Sequence, residues 1–202
     1  MPTTADIAIR RATVHDVPAM SKIVNDYAEL GLMLHRSLAT FYEHLRDFHV
    51  AVAPNDEQET GDIVVGLCGL NIIWANLAEV CALAVIPALQ GQGIGKMLVR
   101  ACIDEGRALS IRRLMTLTYE RAFFAKLGFA VIDRENLPLK VWSECVRCAK
   151  NQACDEIAMV LVLEDVPEVK SPPPYIPPSD AYTVPVTLSS SIKPRPKMDE
   201  AH

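Results

Sequence analysis

Gln90, Gly91, Gln92, Gly93, Ile94, Gly95 and Lys96 are residue types whose spacing suits one chemistry, the holding of an anionic phosphate. Glycines at alternate positions let a backbone approach a ligand closely. An amphipathic segment follows, with Leu98 on one side and Arg100 on the other. The start of a helix offers unpaired N–H groups and the positive end of its dipole. Before the glycines, an apolar run rich in β-branched residues extends from Glu79 to Ile86 and is closed by Pro87, which reads as a buried strand. The expected unit is therefore strand, glycine turn, helix. A dinucleotide-binding loop requires an acidic residue roughly 20 positions on, ending the next strand. Here that strand ends near Thr118 and Tyr119. A P-loop requires Gly, a four-residue spacer and Gly-Lys-Ser/Thr. Gln90 and Met97 break that spacing and remove the magnesium-binding hydroxyl. A tight turn without a ligand would not need the helix, the glutamine and the strand pattern together.

The elements that must carry this loop follow from periodicity. Ile7 to Arg11 alternates as a strand, and Thr13 to Asp16 starts a helix in the manner of a capping box. Val17, Met20, Ile23, Val24 and Tyr27 continue that helix to about Leu30, where Gly31 stops it. Leu38, Phe41, Tyr42 and Leu45 mark a second helix capped by Ser37. Strands are expected at Phe48 to Ala53 and Ile63 to Trp74, antiparallel across a polar turn, with a bulge or bend near Gly66 and Gly69. After the glycine loop, a helix to about Leu109 crosses over to a parallel strand at Leu114 to Tyr119. A short helix from Arg121 to Leu127 ends at Gly128, and strands at Phe129 to Asp133 and Ile157 to Leu163 complete the set. The class is α/β (α+β), a mixed, mainly antiparallel twisted sheet of about six or seven strands with helices on both faces. Residues 1–166 are expected to form the domain. Residues 167–202, rich in Pro and Ser, form a tail expected to be disordered.

Composition narrows the partners. Of 202 residues, half are hydrophobic and 22% charged, ordinary for a soluble globule with a full core. The net charge of −5 argues against general nucleic-acid binding, so any phosphate must be held by local groups. No apolar run is long enough to span a membrane. The opening MPTTADIAIRR lacks a secretory pattern, and a cytoplasmic setting with reduced thiols is expected.

Leu83, Val85 and Pro87, followed by Gln90, Gly93 and Gly95, fit a third kind of loop, Gln/Arg-x-x-Gly-x-Gly after L-x-V-x-P. This stretch resembles the GCN5-related N-acetyltransferase superfamily, over roughly residues 7–163. The resemblance implies acetyl-CoA as co-substrate, with its acyl arm entering where the fourth and fifth strands splay apart. Further pieces look like the short amino-acid N-acetyltransferases, the N-acetylglutamate synthases: Gly31 to Leu38, Arg46-Asp47-Phe48, Thr116 to Tyr119 with Phe123 to Phe129, and Leu137 to Trp142 with Cys145, Cys148 and Cys154. Long members of that group carry an amino-acid-kinase domain, for which these residues leave no room. The implied reaction joins acetyl-CoA and L-glutamate, giving N-acetyl-L-glutamate and CoA, the entry to arginine synthesis, in a possible homodimer without a required metal.

That reaction assigns roles. The attacking amine must lose a proton to a base, for which Glu79, expected to open the fourth strand beside the splay, is the candidate; the alternative is a solvated strand-end carboxylate. Backbone N–H groups of Leu83, Ala84 and Val85 would hold the oxyanion. Many relatives use a Tyr in the short helix to protonate the departing thiolate, but here Phe124 stands at that position, leaving Tyr119 as candidate acid or merely a strand-end aromatic. A buried carboxylate needs a cation or good donors. Arg36, with Ser37 and Lys140, is the candidate partner for the two carboxylates of glutamate; the alternative for Arg36 is a surface charge. Lys96 would help neutralise the pyrophosphate. Cys145, Cys148 and Cys154 read as simple thiols, a redox pair or part of a zinc site, while Cys68, Cys81 and Cys102 fall in apolar patterns and read as core.

Overall fold

The computed structural model of the chain describes residues 6–54, 61–134, 137 and 155–169, all within one unit, Met1–Ser171. Lys140, Cys145, Cys148, Cys154 and nearly all of the expected tail lie outside the described residues. Seven strands form one sheet: β1 (Ala8–Arg11), β2 (Phe48–Pro54), β3 (Asp62–Trp74), β4 (Leu77–Val85), β5 (Arg113–Thr118), β6 (Ala130–Val131) and β7 (Ile157–Val162). Their spatial order is β1-β2-β3-β4-β5-β7-β6. Only β4 and β5 pair in parallel, as the crossover through α3 (Ile94–Ala108) requires.

The sheet is covered on both faces. α1 (Val17–Glu29) and α2 (Leu38–Glu43) bury Val17, Met20, Val24 and Phe41 against Phe48, Val50, Val52 and Leu67. α3 and α4 (Arg121–Ala125) cover the other face, where Leu98, Val99, Cys102 and Phe124 pack with Val65, Val80 and Leu114. An added Cβ on Gly106 would stand 2.9 Å from a methyl of Leu114, so glycine is what allows α3 to lie this close to β5.

Local chemistry sets the helix starts. Asp16 accepts from the Thr13 amide (2.7 Å) and hydroxyl (2.9 Å), closing the expected capping box, and pairs with Arg10 at 2.7 Å. Ser37 caps α2 by accepting from the Thr40 amide at 3.1 Å. Several boundaries differ from the sequence reading. β4 begins at Leu77 rather than Glu79, because Leu77 and Ala78 are buried and pair with both β3 and β5. β6 is reduced to two residues, and β5 ends at Thr118, leaving Tyr119 beyond the strand.

Candidate active site

β4 is the axis of the site. It pairs with β5 only through Leu77–Arg113, Ala78–Leu114 and Glu79–Met115, then continues alongside β3 alone to Val85. The fork thus opens immediately after Glu79. This residue is the third of β4 rather than its first, and it occupies the last position that bridges three strands. Its side chain is half-buried.

An irregularity lies just above the fork. Gly69 pairs with Cys81 and Leu67 with Ala84, so two β4 residues, Ala82 and Leu83, oppose Cys68 alone. Ala82 takes φ +50, a conformation in which side-chain-bearing residues are uncommon. This β-bulge switches the alternation of faces. Ala78 and Val80 pack under α3, as do Leu83 and Val85, whereas Ala82 and Ala84 face α1 and α2. Higher on the strand the Ile86 amide donates to the Val65 carbonyl at 2.9 Å. By alternation the Ala84 amide turns towards β3, and the Val85 peptide group turns into the fork. Of the amides expected to hold an oxyanion at Leu83, Ala84 and Val85, that of Ala84 thus turns towards β3.

The glycine loop follows. Gly91 and Gly93 have φ of +75 and +88, and an added Cβ on either would meet nothing within 4 Å. Both therefore need glycine for conformation, and both face open space. Gly93 precedes α3 with no side-chain cap on the helix, so the first N–H groups of α3 point at that space, a fit for a diphosphate. Ile94 is buried and offers only its backbone, while Lys96 is exposed at the rim. Gly95 lies in van der Waals contact with the Phe123 ring of α4, 3.6 Å from an added Cβ.

Gln90 does something the motif did not indicate. Its side-chain amide donates to the Tyr27 hydroxyl at 2.6 Å, and that hydroxyl donates to the Val85 carbonyl at 2.5 Å. Burial raises the Tyr27 phenol above its ordinary value, partly offset by the Gln90 contact. This chain ties α1, the end of β4 and the glycine loop together. The sequence pattern placed Tyr27 only on the apolar stripe of α1.

At the acceptor end, Cys81 is half-buried beside Phe48 and Gly69; an added Cβ on Gly69 would stand 3.0 Å from its sulfur and 3.1 Å from the ring. The thiol is pushed up to about 12, chiefly by burial and then by the charge of Glu79, with Arg36 pulling the other way. Arg36 and Glu79 thus both lie within charge range of that sulfur, as does Asp47. Arg36 is half-buried and makes no ion pair with the described residues. Ser37 is exposed, and its hydroxyl is engaged by Thr40. Tyr119, one residue past the end of β5, is 36% exposed. Phe124 is buried edge-on between Phe123 and Phe129, so its position serves packing.

Two other features lie apart from the fork. A surface cavity of about 470 Å³ lies beside α3, lined by Arg100, Asp104, Arg107, Lys126 and Asp165 among others; Arg107 is already paired with Asp165 and Asp104. On the α3 face, the buried Cys68 donates to the Gly69 and Cys81 carbonyls, Cys102 lies 3.9 Å from His49 Nδ1, and His49 lies 3.5 Å from Glu105, which pairs with Arg11. Among the described residues, no group of three His, Cys, Asp or Glu side chains is placed to hold a metal ion, and no helix is long and apolar enough to cross a membrane.

A forked sheet with a bulged fourth strand and an uncapped helix behind a glycine loop defines an acyl-transfer fold. The chain belongs to the acetyltransferase (GNAT) family, whose family model matches residues 18–129. It is 36% identical over 159 residues to the uncharacterized N-acetyltransferase CT2212 of Chlorobaculum tepidum, covering 79% of this chain and 98% of that protein. It is also 36% identical over 139 residues to an amino-acid acetyltransferase of Mycobacterium tuberculosis, covering 69% and 77%. The N-acetylglutamate synthase of Neisseria gonorrhoeae, solved with coenzyme A and N-acetyl-glutamate, superposes with a TM-score of 0.65 at 26% identity, over 78% of this chain and 35% of that one. The co-substrate implied by the loop, acetyl-CoA, accords with this membership.

Proposed function

We propose that the protein transfers the acetyl group of acetyl-CoA to the α-amine of L-glutamate, releasing N-acetyl-L-glutamate and CoA, the step that opens arginine synthesis. The observation that carries this reading is Arg36: a half-buried arginine, without an ion pair to the described residues, whose charge acts on the same sulfur as that of Glu79. A cation so placed suits a carboxylate, and arginine can grip one with two parallel hydrogen bonds. Lys140 is proposed as a second cation for the other carboxylate. The relatives named amino-acid acetyltransferases support the same acceptor class.

In this mechanism Glu79 takes the proton from the ammonium group of the acceptor, directly or through water. The free amine attacks the thioester carbon, and the resulting oxyanion is held by the Leu83 and Val85 amides. The C–S bond then breaks, and the thiolate leaves with a proton from Tyr119. Cys81, held as a thiol far above neutral pH, is a poor nucleophile there, which supports direct transfer without an acetyl-cysteine. Gly91, Gln92, Gly93, Ile94 and Gly95 hold the diphosphate through main-chain amides, with Lys96 adding charge.

A thiol-release assay across the amino acids tests this. Glutamate is expected to be used well ahead of glutamine, which differs by one side-chain charge. Equal rates with glutamate, aspartate, glutamine and unrelated amines would reject the assignment. Arg36→Ala is expected to abolish glutamate turnover while acetyl-CoA binding persists.

A further inference from the structure

Arg36 lies in the connection between α1 and α2, a segment whose Leu30, Leu32 and Leu34 are all exposed. Apolar side chains turned to solvent do little to fix a loop, yet the proposed grip on the acceptor needs the guanidinium held in one place. The anchor is Asn25, a half-buried residue of α1. Its amide nitrogen donates to the Arg36 carbonyl at 3.0 Å, and its oxygen accepts from the Arg36 amide at 3.0 Å. The second N–H of that nitrogen reaches the Ser21 hydroxyl at 3.2 Å, and Ser21 is buried one turn back on α1. A single carboxamide thus makes a two-bond ring with the N–H and C=O of one residue, as a neighbouring strand would. One residue later, Ser37 fixes the start of α2.

The chemistry is specific to asparagine. The ring needs one donor and one acceptor from a side chain of this length. Aspartate would keep the acceptor, lose the donor and set a carboxylate against the Arg36 carbonyl. Glutamine adds a methylene and moves the amide out of register.

We propose that Asn25 is the positioning residue for acceptor recognition, holding the Arg36 peptide so that the guanidinium stands over the fork before the acceptor arrives. The inference rests on the reading that Arg36 binds the acceptor carboxylate. Prepaid ordering of a rotamer-rich side chain lowers the cost of binding, and its loss falls on acceptor affinity. Acetyl-CoA is held elsewhere, by the glycine loop.

The test compares the full-length protein with its Asn25→Ala and Asn25→Asp variants in steady-state kinetics, with hydrogen exchange followed at the Arg36 amide. Both variants are expected to raise the KM for glutamate about tenfold or more, with kcat and the KM for acetyl-CoA within about twofold of wild type. The preference for glutamate over its diester is expected to shrink in parallel, and the Arg36 amide to lose protection in Asn25→Ala, which removes its acceptor. Equal losses in kcat and in both KM values would mark a merely structural residue and overturn the inference. So would an unchanged glutamate KM in a wild type that uses glutamate. A wild-type protein inert towards glutamate would instead overturn the proposed function itself, and this inference with it. If Asn25→Ala fails to fold, Asn25→Asp, which keeps size and one bond, decides the matter by the same kinetic measurements.

Discussion

Cys81 and Cys102 lie on opposite faces of one sheet, and the protein moves their thiols in opposite directions. Cys81, under the α1 and α2 side, is raised to about 12 by burial and by Glu79. Cys102, under α3 and fully buried, is lowered to about 6: the Cys68 thiol leads, burial opposes it, and His49 adds to the lowering. Cys68 is raised in turn. Burial acts on both residues in the same sense, so the neighbours decide the sign. The contrast separates two kinds of polar placement. Around Cys81, the charges of Glu79 and Arg36 act on one thiol in opposite senses. Around Cys102, thiol, imidazole and carboxylate are buried together, and the half-exposed Arg11 reaches the carboxylate from the surface.

The largest expected effect comes from removing the charge that sets the cleft side. Glu79→Gln is expected to lower kcat by about 10²- to 10⁴-fold, the range of a lost acid–base group, and to lower the Cys81 thiol pKa. Thiol-release kinetics and thiolate absorbance read the two effects on one sample. A Cys81 that still titrates near 12 after this change would break the comparison at its first step.

Stability sharpens it from the other side. A thiol in the unfolded chain titrates near 9. For Cys102, depressed in the fold, the contribution is full above that value and is lost as pH falls through about 6. Between these limits the unfolded state binds the extra proton, and stability rises with pH by up to about 1.4 kcal/mol per unit. For Cys81 the sign reverses: its contribution is full below about 9 and is lost as pH rises towards about 12. Urea midpoints over pH 6–9 are expected to flatten in Cys102→Ser. The alkaline decline is expected to become shallower in Cys81→Ala. Identical profiles for the two variants would show that the faces do not differ. The smallest effect is that of Arg36→Ala on Cys81, a further rise of its thiol pKa, since a cation that lowers it is removed.

Much of the fold was legible because it rests on local patterns. The alternation of β1, the stripe of α1, the Ser37 cap and the glycine loop all declare themselves within a few residues. So did the approximate place of the fork, through the apolar run from Glu79. What stayed hidden depends on residues far apart in the chain. Nothing near Tyr27 announces that its hydroxyl meets Val85 and Gln90, and nothing near Asn25 announces Arg36. Cys68, Cys102, His49 and Glu105 meet only when α3 is laid on the sheet; the apolar pattern identified two of them correctly as core and gave no hint of the polar relay. Cys81, also expected in the core, is only half-buried, beside Phe48 and Gly69 and one residue before the bulge at Ala82 and Leu83. That bulge uses an alanine at positive φ, a conformation with no signature in residue type.

The three-residue seam between β4 and β5 has one further consequence. Above it, each strand carries main-chain partners on one flank only, so the middle of the sheet lacks a rung where its neighbours are complete. A molecule bearing its own amides, as the pantetheine arm of acetyl-CoA does, can serve as a prosthetic strand there. Ligand occupancy would then be part of what finishes the hydrogen-bonding ladder, and melting temperature should climb with acetyl-CoA concentration even when no acceptor is present.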